Sequence, residues 1–192
     1  MMELIFIRHG QGEHTLDLPE SLKISDPSLT KLGIDQAISL REKIALTEND
    51  IILISPIRRT LETALLWSGN IKCRKVVHPL VSPRMFPIHP EWSTLPCDKI
   101  LDIELIESDF PTFEIENSFS KSIWLEGINV LPENLFLLLV EEFVTYCKQF
   151  QKEKIYIVSH DGTITSYRQS ISGKKLTRKD FPEEIAWFTL TC

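Results

Sequence analysis

Leu4-Ile5-Phe6-Ile7-Arg8-His9-Gly10 is the stretch on which the reading of this chain turns. Four consecutive apolar residues make a short buried strand. The strand runs directly into Arg-His-Gly. In open α/β sheets ligands bind outside the carboxyl ends of strands. A neutral imidazole at such an end can act as a nucleophile, and a neighbouring guanidinium can hold an anion by two parallel hydrogen bonds. An isolated His-Arg pair is most simply a hydrogen-bonded histidine beside a surface arginine. A second run changes that balance. Ile155-Tyr156-Ile157-Val158 is another apolar, β-rich segment, and it ends in Ser159-His160-Asp161-Gly162. Two strands thus each deliver a histidine, followed within two residues by a glycine, to what reads as one sheet edge. The pattern points to transfer of a phosphoryl group onto histidine.

Working outward, Ile34, Ala37, Ile38, Arg41, Ile44 and Ala45 fall on one face of a helix for which Thr30 is the N-cap. Ile51 to Ile54 make a second buried strand. Ser55-Pro56 follows, and Ser as N-cap with Pro at the first helical position predicts that a helix begins there, burying Ile57, Leu61, Ala64 and Leu65. Residues 73–77 read as a third strand. Six prolines between Pro79 and Pro111 break the pattern, so most of that stretch is expected to be irregular. The segment from 100 to 131 is ambiguous, and 79–131 as a whole is read as a lid or rim. Pro132 opens a helix whose buried face is Phe136, Leu139, Val140, Phe143, Val144 and Cys147. The strand at Ile155, a helix over about 162–171 and a last strand over 185–190 complete the chain. Strands alternating with helices imply a three-layer α/β/α sandwich with a mainly parallel central sheet, in one domain spanning 1–192.

The bulk numbers agree. A length of 192 residues suits one domain, and 43% hydrophobic with 25% charged residues is ordinary for a globular protein. The net charge of -6 gives no support for nucleic-acid or anionic-membrane partners. Cys73, Cys97, Cys147 and Cys192 are dispersed, with no CxxC or zinc-type cluster, so free thiols in a reducing compartment are expected. Too few apolar residues precede Arg8 for a signal peptide, and no apolar run approaches a membrane span. A cytoplasmic protein is the expectation; its oligomeric state is left open.

Arg8-His9-Gly10 and His160, with the segments between them, resemble the histidine phosphatase superfamily, branch 1, which includes the phosphoglycerate mutases. Leu29-Thr30-Lys31-Leu32-Gly33-Ile34-Asp35-Gln36-Ala37 resembles that family's LTxxGxxQA. Ser55 to Ala64 resembles SPLxRAxQTA, with Glu62 where Gln is usual. Val158 to Gly162 resembles VSHGG, with Asp161 in place of Gly. Gln11-Gly12-Glu13-His14-Thr15 resembles the RHGQGxHN variant of one branch, with Thr15 where Asn is expected. The resemblance implies a phosphoglycerate mutase-like fold and a metal-independent phosphomonoesterase without cofactor, acting on a small phosphorylated substrate. His9 becomes the phosphohistidine nucleophile, with its other ring nitrogen donating to a backbone carbonyl near Gly10. Arg8, Arg59 and His160 form the cationic cradle, and Gly10, Thr15 and Gly162 join them in binding phosphate. Arg59 takes the pocket role, while Arg58 pairs with Glu62 on the surface.

The general acid departs from the family pattern. The usual LxE after the third strand reads Leu80-Val81-Ser82 here. Glu91, at the family spacing ahead of Pro96-Cys97-Asp98, is preferred. Asp161 comes second, because an HD pair supplies the donor in the acid-phosphatase and phytase branch, and Asp98 is third. Arg84, His89 and Trp92 are further substrate contacts to consider, and the basic run Lys174, Lys175, Arg178, Lys179 reads as a solvated face able to steer a phosphorylated ligand. Two alternatives stand beside hydrolysis: a phosphoglycerate-type phosphomutase, and a catalytically silent member that binds a phosphorylated ligand or a protein.

Overall fold

A computed structural model describes residues 1–192. Six strands form one sheet: β1 (Glu3–Arg8), β2 (Ile51–Ile54), β3 (Arg74–Val77), β4 (Glu114–Ile115), β5 (Lys154–Ser159) and β6 (Trp187–Thr191). Their order is β4-β3-β2-β5-β1-β6. All neighbours are parallel except β6, which runs antiparallel to β1. Helices α1 (Lys31–Lys43), α2 (Arg58–Ser68), α3 (Ile103–Asp109), α4 (Lys121–Glu126), α5 (Glu133–Gln149) and α6 (Asp161–Ser172) cover it.

Successive strand residues point to opposite faces, and the two cores divide accordingly. Ile5, Ile7, Ile52, Ile54, Tyr156 and Val158 pack on one side with Leu40 of α1, Leu61 and Trp67 of α2 and Ile106 of α3. Leu4, Phe6, Ile51, Leu53, Ile155 and Ile157 pack on the other with Phe136 and Phe143 of α5 and Ile164 and Tyr167 of α6. Strands buried on both faces must be apolar throughout, which is why β1, β2 and β5 read as unbroken hydrophobic runs. The expected three-layer α/β arrangement is the one observed. No helix is long and apolar enough to cross a membrane.

Several local readings are corrected. In α1 the buried residues are Gly33, Ala37 and Leu40, whereas Ile34 and Ile38 are exposed. The cause is close approach of backbone: a Cβ on Gly33 would lie 2.1 Å from the Gln11 carbonyl oxygen, and one on Gly10 would lie 2.5 Å from the Gly33 carbonyl oxygen. The helix is thereby turned so that its glycine edge meets the loop after β1. Thr30 does cap it, accepting the Gly33 N–H at 3.0 Å. Helix α2 starts at Arg58 rather than at Pro56, because Ser55 spends its hydroxyl on His160 and not on the helix. Leu65 is consequently exposed, and Trp67 takes the core position. Arg58 pairs with Asp26 and Asp109 instead of Glu62, whose carboxylate accepts the Leu29 N–H at 2.7 Å. The proline-rich middle is not uniformly irregular: α3, β4 and α4 lie within it. In α5 the buried face is the expected one at Phe136, Val140, Phe143 and Cys147.

Candidate active site

The site follows from strand register. Arg8 on β1 is level with Ser159 on β5, and Ile54 on β2 is level with Val158. The residues leaving these three strands, His9, His160 and Ser55, therefore emerge side by side. His9 N–H donates to the Ser159 carbonyl and Ser55 N–H to the Val158 carbonyl, both at 3.1 Å, so the ladder extends past the strand ends. The rings of His9 and His160 lie 5.1 Å apart.

Arg59, in the first turn of α2, is 2% exposed and sits between the two imidazoles. Its Nε donates to His9 Nε2 and its Nη2 to His160 Nδ1, each at 3.2 Å. Nη1 donates to the Cys97 carbonyl at 2.7 Å, and Nη2 also pairs with Asp98 at 2.8 Å. A guanidinium has no lone pair to give, so both facing ring nitrogens must be acceptors. That assigns the tautomers. His9 carries its proton on Nδ1 and donates it to the Gly10 carbonyl at 2.6 Å. His160 carries its proton on Nε2 and donates it to Ser55 Oγ at 2.8 Å.

Burial, followed by the positive field of Arg59, holds both imidazoles well below the usual histidine pKa; the backbone bond to Gly10 opposes this only in part for His9. His9 is thus a neutral imidazole with an unprotonated Nε2. His14, its ring 5.6 Å from that of His9, is pushed from 6.5 to about 3 by burial and then by Arg59 and Arg8. Its Nδ1 is buried without a hydrogen-bond partner.

Arg8 completes the cluster. It donates to the Pro182 carbonyl at 2.8 Å and pairs with Asp161 at 3.1 Å. Asp161 also accepts the Gly162 N–H at 2.6 Å. Gly162 is needed for closeness, since a Cβ there would lie 2.1 Å from the Arg84 carbonyl oxygen. The Gly10 N–H is taken up by Thr63 Oγ1 at 3.2 Å, and Thr15 donates its hydroxyl to the Gly12 carbonyl at 2.8 Å. Of the phosphate-binding set read from sequence, Arg8, Arg59 and His160 therefore stand around His9, while the donors of Gly10, Thr15 and Gly162 are engaged within the protein.

Beside this cluster lies a cavity of about 550 Å³, lined among others by Phe86, Glu91, Trp92, Asp98, Asp161 and Phe181. All three candidate acids reach it. Asp98 and Asp161 meet it while paired to the cradle arginines, and Glu91 meets it with no ion-pair partner. Arg84 is held structurally: it lies 4.0 Å over the Phe136 ring and donates to Ile128, Leu131 and Glu133. Ser82, at the family's acid position, accepts the Ile128 N–H. The role of Ser55 escapes sequence reasoning because Ser-Pro ahead of an apolar stripe has the signature of a helix start. Only the β2–β5 register shows that its hydroxyl faces a histidine.

This arrangement is similar to the one that the motif resemblance implies. The family model described as histidine phosphatase superfamily (branch 1) matches residues 4–82, which hold β1 to β3 and the His9, Ser55 and Arg59 positions. The resemblance read from the motifs is borne out over this stretch. Among solved structures it is similar to a candidate α-ribazole-5'-P phosphatase of Escherichia coli K-12, with a TM-score of 0.62 at 22% identity over 98% of this chain and 89% of that one. It is similar also to the phosphoserine phosphatase of Entamoeba histolytica, solved with 3-phosphoglyceric acid, with a TM-score of 0.62 at 21% identity over 98% and 90% of the two chains. A mycobacterial glucosyl-3-phosphoglycerate phosphatase solved with vanadate gives 0.61 at 17% identity over 100% and 91%. At these identities the likeness is one of fold. No curated protein matches the sequence significantly.

Proposed function

We propose that this protein hydrolyses small phosphomonoesters through a phosphohistidine formed on His9. The observation that carries this reading is the fixed tautomer of His9, whose Nδ1–H is held by the Gly10 carbonyl and whose Nε2 lone pair faces Arg59. Nε2 attacks phosphorus in line, the P–O ester bond breaks on the opposite side, and the leaving oxygen takes a proton from the Glu91 carboxyl. Water then attacks the phosphohistidine, losing a proton to the same carboxylate, and inorganic phosphate leaves. Phosphoryl transfer depends chiefly on positioning and on charge stabilisation. Arg8 and Arg59 supply that charge, and the neutral His160 positions Arg59 through Nδ1, so the reading requires no metal and no cofactor. The donors of Arg59 now bonded to the two imidazoles are the ones that would turn to phosphoryl oxygens.

Glu91 is assigned the proton. Asp98 and Asp161 are each committed to an ion pair with a cradle guanidinium, Arg59 and Arg8. Glu91 is the carboxyl on the cavity wall without such a partner. The four cysteines are unpaired thiols, in keeping with the proposed cytoplasmic location.

The test is chemical trapping. Wild-type protein incubated with a ³²P-labelled aryl phosphate and quenched in alkali should carry label that is stable to base and released by acid, the behaviour of phosphohistidine. His9→Ala should carry none and turn nothing over while remaining folded. Turnover by that variant overturns the assignment, and added chelator should leave wild-type activity unchanged.

A further inference from the structure

The charges around the cavity do not all cancel within the protein. Arg84 is paired with Glu133, Asp98 with Arg59 and Asp161 with Arg8. Two charged lining residues are left over, Glu91 and Arg178. Glu91 is used by the proposed reaction as the proton donor. Arg178 has no place in that reaction and makes no ion pair or side-chain hydrogen bond.

Arg178 is exposed, but the backbone that carries it is fixed. It opens a single 3₁₀ turn, Arg178–Asp180, whose start is fixed by a capping box: Thr177 accepts the Lys179 N–H, and Asp180 reaches back to the Thr177 N–H at 2.8 Å. The same turn is tied to α6 through Arg168, which donates to the Asp180 carbonyl at 2.7 Å. The guanidinium stands 5.4 Å from the centre of the Phe181 ring, so one aromatic face supports it on the cavity wall. The adjoining hollow, about 490 Å³, shares Phe86 with the cavity and adds Lys174 and Lys175. On a chain with net charge -6, this side of the site is locally basic.

The cavity body is different in character. Phe86, Trp92, Leu95 and Phe181 line it. Trp92 is 53% exposed and stacks on His89 at 4.8 Å. Such a large exposed ring is an apolar surface awaiting a ligand more than a part of the core.

We propose that Arg178 reads a second anionic group on the substrate. The ligand class is a phosphomonoester whose alcohol part carries an aromatic or other apolar body and, at its far end, a carboxylate or a comparable anion. The phosphoryl group meets His9, the body lies against Trp92 and Phe181, and the second anion pairs with Arg178. The repelling carboxylates on the same wall, Asp98 and Asp161, are already neutralised by Arg59 and Arg8. This inference rests on the phosphatase reading for the position of the phosphoryl end.

The experiment compares para-nitrophenyl phosphate with phosphate esters of phenols bearing a carboxylate on a short and on a longer para substituent. Wild type should favour one of the carboxylated esters. Arg178→Ala should lower kcat/KM for that ester by about tenfold, through KM and not kcat, and leave para-nitrophenyl phosphate within about twofold. Arg178→Lys should recover part of the loss. Equal effects on all esters, or none, overturn the inference. Calorimetric binding of the same esters to His9→Ala, with and without the Arg178 change, separates the two readings. An Arg178-dependent preference in binding without any wild-type turnover removes the phosphatase reading and keeps this one. Turnover without an Arg178-dependent preference does the reverse.

Discussion

Ser55 Oγ accepts the Nε2–H of His160 at 2.8 Å, and both groups are buried. The bond joins the end of β2 to the end of β5 and fixes the ring that faces His9. Once Arg59 has claimed Nδ1, Ser55 is the remaining partner for the other nitrogen of His160.

Ser55→Ala leaves that N–H buried without an acceptor and frees the ring to turn. The expected loss is about 1–3 kcal/mol, roughly ten- to a hundredfold in kcat/KM for an aryl phosphate. Ser55→Thr keeps an acceptor oxygen and should retain more activity than alanine. Steady-state kinetics on the two variants, with circular dichroism to establish folding, decides the point. An alanine variant as active as wild type would remove Ser55 from the site.

Glu91 and Asp161 are separated by their leaving-group dependence. A para-nitrophenolate leaves without help, whereas an alkoxide needs a proton in the transition state. Glu91→Gln should slow an alkyl phosphate by about a hundredfold or more and an aryl phosphate by less than about tenfold. Asp161→Asn should not change the alkyl-to-aryl ratio. The reverse pattern would move the donor to Asp161.

Much of this site is legible in the sequence because the residues that carry it follow short apolar runs. The runs from Leu4 to Ile7 and from Ile155 to Val158 admit no solvent face, so the residues after them have to emerge at a sheet edge. What stays hidden depends on contacts distant in sequence. Ile34 and Ile38 have the helical spacing of core residues, yet the contact of Gly33 with the β1 loop turns them outward. Arg58 matches Glu62 by spacing along the helix, but Asp26 and Asp109 approach from other segments. The shape of the proline-rich middle is likewise unreadable, since α3 and α4 are short and draw their stability from packing against the sheet.

His78, at the end of β3, gives the fold an acid sensitivity that is independent of catalysis. It is fully buried among Phe119, Phe143 and Tyr146, and burial lowers its pKa from 6.5 to about 3. In the unfolded chain it protonates as pH falls through about 6.5. The unfolded state therefore binds the proton first. Stability from this group is complete above that pH and is lost as pH drops towards 3. His14 acts in the same direction. Asn at position 78 can still accept the Leu80 N–H that His78 accepts through Nδ1, but it cannot titrate. His78→Asn should be less stable than wild type near neutrality and should lose about 2 kcal/mol less between about pH 6.5 and about pH 4.5. Urea midpoints at the two pH values measure this; equal losses in both proteins would show that His78 does not drive the acid response.

Asp161 stands where the family pattern has glycine, and its carboxylate lies 3.1 Å from Arg8. A phosphoryl group bound in the cradle must compete with it for the same guanidinium. The pair is partly open to solvent, with side-chain exposures of 16% and 34%, so its contribution is that of a screened surface bridge. Removing the charge should release Arg8 at small cost to the fold. Asp161→Asn is therefore expected to bind inorganic phosphate and vanadate more tightly, by up to about fivefold, with product inhibition appearing at correspondingly lower phosphate concentration. Raising the salt concentration should narrow the difference, because the bridge being removed is itself screened. Inhibition constants measured for both proteins at low and high salt test the argument, and weaker phosphate binding by the Asn variant would mean that Asp161 positions Arg8 for the phosphoryl group instead of competing with it.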